Sequence, residues 1–225
     1  MLEANEATVS SSSGRARQRV RVTFARSENT RYVGHLDMVR TWERIIRRAG
    51  LPMAYSEGYN PRPRLAFAAA LPVGCTSDEE VFDMILWQPC ELSDVHTRLA
   101  RVVPAGIRVI SVKEESYATP ALQTRTRATE FVATLRDDET RDSVAARMKT
   151  LLESPSLERT RRGKRYDLRP LILDLWIEST DGDCVHVAML LKAEESGTGR
   201  PDEVVAAMGL DPVTAGIHRR RLILA

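Results

Sequence analysis

Three short constellations place aromatic, cationic and acid–base side chains close enough together to act as units. The first is Tyr32-Val33-Gly34-His35-Leu36-Asp37-Met38-Val39-Arg40. Tyr32 and His35 beside a helix start are suited to general acid–base chemistry, and a helix N-terminus favours an anion. Projected on a helix, His35 points toward the apolar arc, so it reads first as a neutral capping or core residue. Asp37 and Arg40, three positions apart, suit a helix-surface pair.

The second constellation is Ser56-Glu57-Gly58-Tyr59-Asn60-Pro61-Arg62-Pro63-Arg64. Its prolines stiffen the loop and Gly58 permits a positive φ. Such a loop can present Tyr59, Asn60 and Arg62 to a ligand, or it can be a hairpin with solvated arginines. The third runs from Arg159 to Arg169, with six basic residues and one acidic residue in eleven positions. Arg162, Lys164, Arg165, Tyr166, Asp167 and Arg169 are suited to gripping a phosphate backbone, with stacking from tyrosine and bidentate contacts from arginine. A solvated hairpin tip is the alternative. The second and third constellations share a pattern: Tyr59-Asn60-Pro61-Arg62-Pro63 and Tyr166-Asp167-Leu168-Arg169-Pro170 both read Tyr-[Asn/Asp]-x-Arg-Pro. Each copy either binds a ligand or braces its own hairpin, Arg62 through Asn60 and Arg169 through Asp167. Arg40 and Arg44 extend the basic surface, and His218-Arg219-Arg220-Arg221 adds charge near the C-terminal end.

Several chemistries lack their motifs. GxxxxGK[ST], GxGxxG, HExxH and GxSxG do not occur, so nucleotide-triphosphate, dinucleotide, zincin and hydrolase-elbow readings have no support. Three cysteines, Cys75, Cys90 and Cys184, form no CxxC or CxxxCxxC and indicate reduced thiols in a cytoplasm. Asp78, Glu79, Glu80 and Asp83 are too few converging ligands for a metal site. No metal or other cofactor is expected. No apolar run is long enough to span a membrane. The first sixteen residues lack a signal-type apolar segment and are expected to form a disordered tail.

The net charge of +2, from 33 basic and 31 acidic residues, hides local bias. Residues 15–64 carry twelve basic and four acidic side chains, whereas 65–115 carry four and eight. Arginine accounts for 29 of the 33 basic residues, which reflects either codon bias or planar recognition of phosphate and carboxylate.

The elements that must position these residues follow from periodicity. Residues 19–26 alternate as a half-buried strand. Residues 35–49 form an amphipathic helix that buries Trp42, Ile45, Ile46 and Ala49 and exposes Arg40, Arg44 and Arg47. Strands at 53–56, 64–71 and 80–87, a helix traced by Leu92, Val95, Leu99 and Val102, and a strand at 107–112 complete a β-α-β-β-β-α-β order. Residues 113–128 read as a linker. The same order follows: strand 129–136, helix 140–153, strands 157–162, 171–178 and the one lined by Val185, Val187, Met189 and Leu191, helix 201–208 and strand 218–224. Leu171, Leu173, Leu175 and Ile177 are expected to share one face. Asp181-Gly182 is a hairpin signal. The expected fold class is α+β: tandem ferredoxin-like α/β sandwiches from an internal duplication, covering 17–112 and 129–225, with helices on one sheet face.

Tyr32-x-x-His35-Leu36-Asp37-x-x-Arg40, Arg47-Arg48-Ala49-Gly50-Leu51-Pro52, Ser56-x-Gly58-Tyr59-Asn60-Pro61-x-Pro63 and Leu71-Pro72-Val73-Gly74 resemble the radical-SAM-associated domain family of unknown function. The resemblance implies a radical SAM protein as partner and RNA-related work, with radical chemistry in another polypeptide. The layout is also similar, by fold analogy alone, to RAMP endoribonucleases. The expected function is a non-catalytic binding module that recognises RNA or an anionic substrate for a separate radical SAM enzyme. The alternatives are a metal-independent endoribonuclease using Tyr32 and His35, and a protein-only adaptor.

Overall fold

A computed structural model describes residues 17–136, 139–161, 163–194 and 196–225; the tail expected over 1–16 lies outside them. The first half comprises β1 (Gln18–Arg26), α1 (His35–Arg48), β2 (Leu65–Phe67), β3 (Cys75–Leu86), α2 (Leu92–Val102) and β4 (Ile107–Glu115). A short helix, α3 (Leu122–Arg125), leads into the second half. There β5 (Thr126–Leu135) and α4 (Arg141–Glu153) precede a small hairpin of β6 (Glu158–Arg161) and β7 (Lys164–Asp167). The chain then runs through β8 (Ile172–Asp181), β9 (Cys184–Glu194), β10 (Gly197–Thr198), α5 (Pro201–Ala207) and β11 (Gly216–Leu224).

Nine strands join in one mixed sheet ordered β10-β9-β5-β11-β3-β1-β4, with β2 also on β3 and β8 also on β9. The first half pairs as β4-β1-β3-β2 and the second as β11-β5-β9-β8, all antiparallel. The halves meet where β11 runs parallel to β3, with Ile217 opposite Cys75, His218 opposite Thr76 and Arg219 opposite Ser77. The fold is thus α+β with a large, mostly antiparallel sheet.

The period-two pattern of β1 buries Val20, Val22 and Phe24 beneath α1 and α2. The helical stripe of α1 buries Met38, Trp42, Ile45 and Ile46, while Arg40, Arg44 and Arg47 remain exposed, as the 3.6-residue period requires. Asp37 in its first turn and Arg47 and Arg48 in its last complement the helix dipole. Phe24, Trp42, Phe67 and Phe82 form an aromatic cluster with ring centroids 4.6–6.3 Å apart. Fully burying such side chains contributes about 1.5–3 kcal/mol each.

The second core joins Phe131, Ala133 and Leu135 of β5 and Val185, Val187, Met189 and Leu191 of β9 to Val144, Met148 and Leu151 of α4 and Val204 and Val205 of α5. The Thr140 hydroxyl caps α4 by accepting the Ser143 N–H at 3.2 Å. Leu71 and Cys75, from the first half, belong to this second core. Gly182, at φ 53°, turns the β8–β9 hairpin as the Asp-Gly pair predicts.

Two expectations need correction. The strand expected at 53–56 survives only as the isolated bridges Met53–Leu86 and Tyr55–Pro63, because Pro52 and Pro61 restrict ladder pairing there. Leu173 does not share the buried face of β8. The register against β9 shifts between Ile172 and Asp174, so Ile172 and Leu175 turn inward and Leu173 is exposed. The segment read as a linker, 113–128, holds the end of β4, all of α3 and the start of β5. Its stretch 116–120 lies over β1, where the Arg19 guanidinium donates to the carbonyls of Ser116, Thr119 and Pro120 while pairing with Asp83.

Candidate functional site

The β6–β7 hairpin turns at Gly163, at φ 77°, a conformation that favours glycine. Its base is fixed by charge and backbone together. One Asp167 oxygen, Oδ1, accepts the N–H groups of Leu157 at 2.8 Å and Arg169 at 2.9 Å. These bonds hold its carboxyl below the usual carboxylate range. The Arg169 guanidinium donates to the carbonyls of Leu152 and Ile172. Leu168 is buried between these two residues in the second core. Asp167 and Arg169 therefore brace the hairpin, with Asp167 gripping backbone rather than the guanidinium.

The braced hairpin forms one wall of a groove of about 760 Å³. Arg161, Lys164, Tyr166 and Asp167 line this wall, Pro170 and Leu171 lie beside it, and 196–198 with Arg200 form the facing side. Gly197 lets the walls meet closely, since a Cβ there would lie 2.8 Å from Leu171 Cδ2 and push that side chain aside. Tyr166 packs its ring partly into the second core. Burial, then the nearby Glu203, push its phenol up from its ordinary value, so it stays a neutral donor. The guanidinium of Arg200 donates to Asp202 at 2.7 Å. Three cations, Arg161, Lys164 and Arg200, thus line the same groove as this aromatic ring, and the lining carboxylate, Asp167, already accepts two backbone donors. Such a surface can stack a base and hold phosphates.

The remaining sequence candidates lie elsewhere. Lys164, Tyr166 and Asp167 enter the groove, whereas Arg165 is exposed beside it and Arg162 lies outside the described residues. Tyr59 is 100% exposed, and Tyr59, Asn60 and Arg62 do not line this groove. Their loop is pinned through Ser56, whose N–H donates to the Arg62 carbonyl and whose hydroxyl accepts the Arg62 N–H, so the brace uses Ser56 rather than Asn60. Arg40 pairs with Asp37 at 3.1 Å, and Arg44 is exposed on the same helix. Tyr32 is exposed, with Arg31 over its ring at 5.8 Å. His35 packs edge-on against Phe67 at 5.5 Å, and burial followed by the charges of Arg26 and Arg219 lowers its pKa. It stays a neutral imidazole against the core.

Sequence reading missed Arg200, Thr198 and the role of Arg161 within its basic run. A lone arginine before Pro201 carries no local pattern, and Arg161 becomes distinct from its neighbours only through hairpin register. On the opposite sheet face, the β3–β11 pairing brings the Thr76 hydroxyl to His218 Nδ1 at 2.8 Å, with Asp78 at 3.0 Å from Nε2. Among the described residues no group of three or more His, Cys, Asp or Glu is placed to hold a metal ion.

Residues 19–201 match a family described as an uncharacterized protein conserved in bacteria (DUF2344). The chain belongs to this family. The DUF2344 match spans both halves, and its description gives neither a reaction nor a partner. No curated protein matches the sequence. Among solved structures, a Cbf5-Nop10-Gar1 complex aligns at 12% identity and a TM-score of 0.48, covering 89% of this chain and 48% of that one. An archaeal box H/ACA sRNP Nop10-Cbf5 complex aligns at 14% and 0.42, covering 90% and 48%. A glycine cleavage system transcriptional repressor, described there as putative, aligns at 11% and 0.25, covering 93% and 99%. The chain spans about half the length of the first two. These scores are too low to transfer a fold or an activity.

Proposed function

We propose that this DUF2344 protein is a non-catalytic module that binds single-stranded RNA in the β6–β7 groove. The observation that carries this reading is that Tyr166 lines one groove together with Arg161, Lys164 and Arg200. A ring with a flat face tolerates any base, while nearby cations follow the backbone; the combination favours unpaired RNA over a duplex. The repeated strand order supports a further reading of the chain as two ferredoxin-like units, 17–112 and 129–225, derived by duplication. The resemblance in residues 31–74 supports a separate radical SAM enzyme in the cytoplasm as the partner to which the RNA is presented. Among the described residues no helix is long and apolar enough to cross a membrane.

The endoribonuclease reading has less support. His35 faces the Phe67 ring, Tyr32 projects into solvent, and the two share no described hydrogen bond.

Fluorescence anisotropy with a labelled oligouridylate tests the binding reading. Tyr166→Ala is expected to cost about 1–3 kcal/mol of affinity through lost stacking. Lys164→Ala is expected to reduce the log–log salt slope by about 0.7, the value for one contact to a single strand. Wild-type affinity in both variants, at unchanged fold, would overturn the groove as the RNA site.

A further inference from the structure

The groove continues past Arg161, Thr198 and Arg200 into a second hollow of about 390 Å³. Ala68, Ala69, Ala70 and Pro72 line one side, and Phe131 and Arg219 lie at the seam between the halves. Arg219 is 1% exposed. Its Nη1 donates to Glu80 at 2.8 Å, its Nη2 to the Ala70 carbonyl at 2.8 Å, and its Cζ lies 5.2 Å from the Phe131 ring centroid. Its Nε has no hydrogen-bond partner.

The surrounding charges do not balance. Arg26 is also buried, its Nη2 donates only to the Thr30 and Val33 carbonyls, and its Nε likewise lacks a partner. The carboxylate acting on both guanidiniums is Glu80. Cys75 adds no negative charge, because burial pushes its thiol up to about 12. His35, close to both arginines, is held neutral. Asp202 pairs with Arg200, and Glu194 at the hollow's edge pairs with Lys192. The seam thus holds two buried guanidiniums beside one carboxylate; of the two, Arg219 lines this hollow, and Arg161 adds a cation at the mouth. Uncompensated buried charge is costly, and an anion that reaches it gains correspondingly.

We propose that this hollow binds a phosphate monoester: the terminal phosphate of an RNA strand whose adjoining nucleotides lie in the Tyr166 groove. A diester carries a single negative charge. A monoester carries about −1.5 to −2 at pH 7 and offers three strong acceptor oxygens to the Arg161 and Arg219 guanidiniums that line the hollow. The bare backbone at Gly199 keeps the wall tight, since a Cβ there would lie 2.8 Å from the Leu171 carbonyl oxygen. The inference rests on the groove as an RNA interface but requires more of it: discrimination between strand ends.

The test compares three oligouridylates of one length, carrying a 5′-phosphate, a 3′-phosphate or hydroxyls at both ends, by anisotropy against the full chain. One monophosphorylated form is expected to bind at least about tenfold tighter than the hydroxyl form, as a set of charge-assisted hydrogen bonds would give. Which one does so identifies the strand end. Arg161→Ala, at an exposed position, should abolish the difference without unfolding the chain. Equal affinity for all three would overturn the monoester site and leave the RNA interface standing. If no oligonucleotide binds, the melting shift in inorganic phosphate decides. A shift lost in Arg161→Ala supports the anion hollow and overturns the RNA interface, whereas no shift overturns both.

Discussion

Arg219 on β11 and Glu80 on β3 form an ion pair at 2.8 Å, with side chains 1% and 4% exposed, across the seam between the two halves. They stand 139 positions apart in sequence. Such a pair contributes little net stability when intact, because desolvation offsets the attraction, but losing one partner strands the other. Glu80→Ala leaves Arg26 and Arg219 facing each other without their shared carboxylate. We expect a loss of about 3–5 kcal/mol in urea unfolding. A loss under about 1 kcal/mol would show that water or rearrangement compensates the pair.

Acid should destabilise the chain through His35. Burial first, then Arg26 and Arg219, lower its pKa in the folded state from 6.5. The unfolded chain therefore takes up the proton first as pH falls, and stability rises with pH wherever the unfolded state binds more protons. The contribution is fully present above about pH 6.5 and is lost progressively as pH falls from there toward the lowered folded value. Melting temperature against pH should fall less steeply below 6.5 in His35→Gln than in wild type. Identical slopes would mean that His35 is solvated in the native state.

The two faces of α1 should respond oppositely to substitution. Ile46 is 0% exposed in the first core and Arg44 is exposed. Ile46→Asp forces an unpaired carboxylate among Phe24, Trp42 and their neighbours and is expected to prevent cooperative folding. Arg44→Ala should change stability by no more than about 0.5 kcal/mol. Equal melting shifts for the two variants would contradict the placement of this helix.

That contrast also shows what the sequence makes legible. The arcs of α1 and the alternation of Val185, Val187, Met189 and Leu191 are local signals, and the structure buries those residues accordingly. In the sequence Glu80 and Asp83 show only as part of an acidic cluster, and charge ordinarily stays in water. Both are buried, since Arg219 and the pair Arg19 and Arg21 arrive from distant strands to neutralise them. Leu173 breaks its expected pattern because a register shift is set by the partner strand. The same limit applies to the site. The aromatic-basic hairpin is visible as a run, but Arg200 joins it only when the segment around β10 packs across the groove, and Arg219 only after the sheet has closed across the seam.

Photocrosslinking tests the central claim most directly. Uniformly labelled oligouridylate is irradiated with the full-length protein, the complex is digested with trypsin, and the RNA-bearing peptides are mapped by mass spectrometry. The account predicts a crosslink on the peptide beginning at Tyr166, immediately after Arg165, and its loss in Tyr166→Ala. Crosslinks confined to the Tyr59 loop, or no crosslink at all, would contradict the assignment of the β6–β7 groove as the RNA-binding surface.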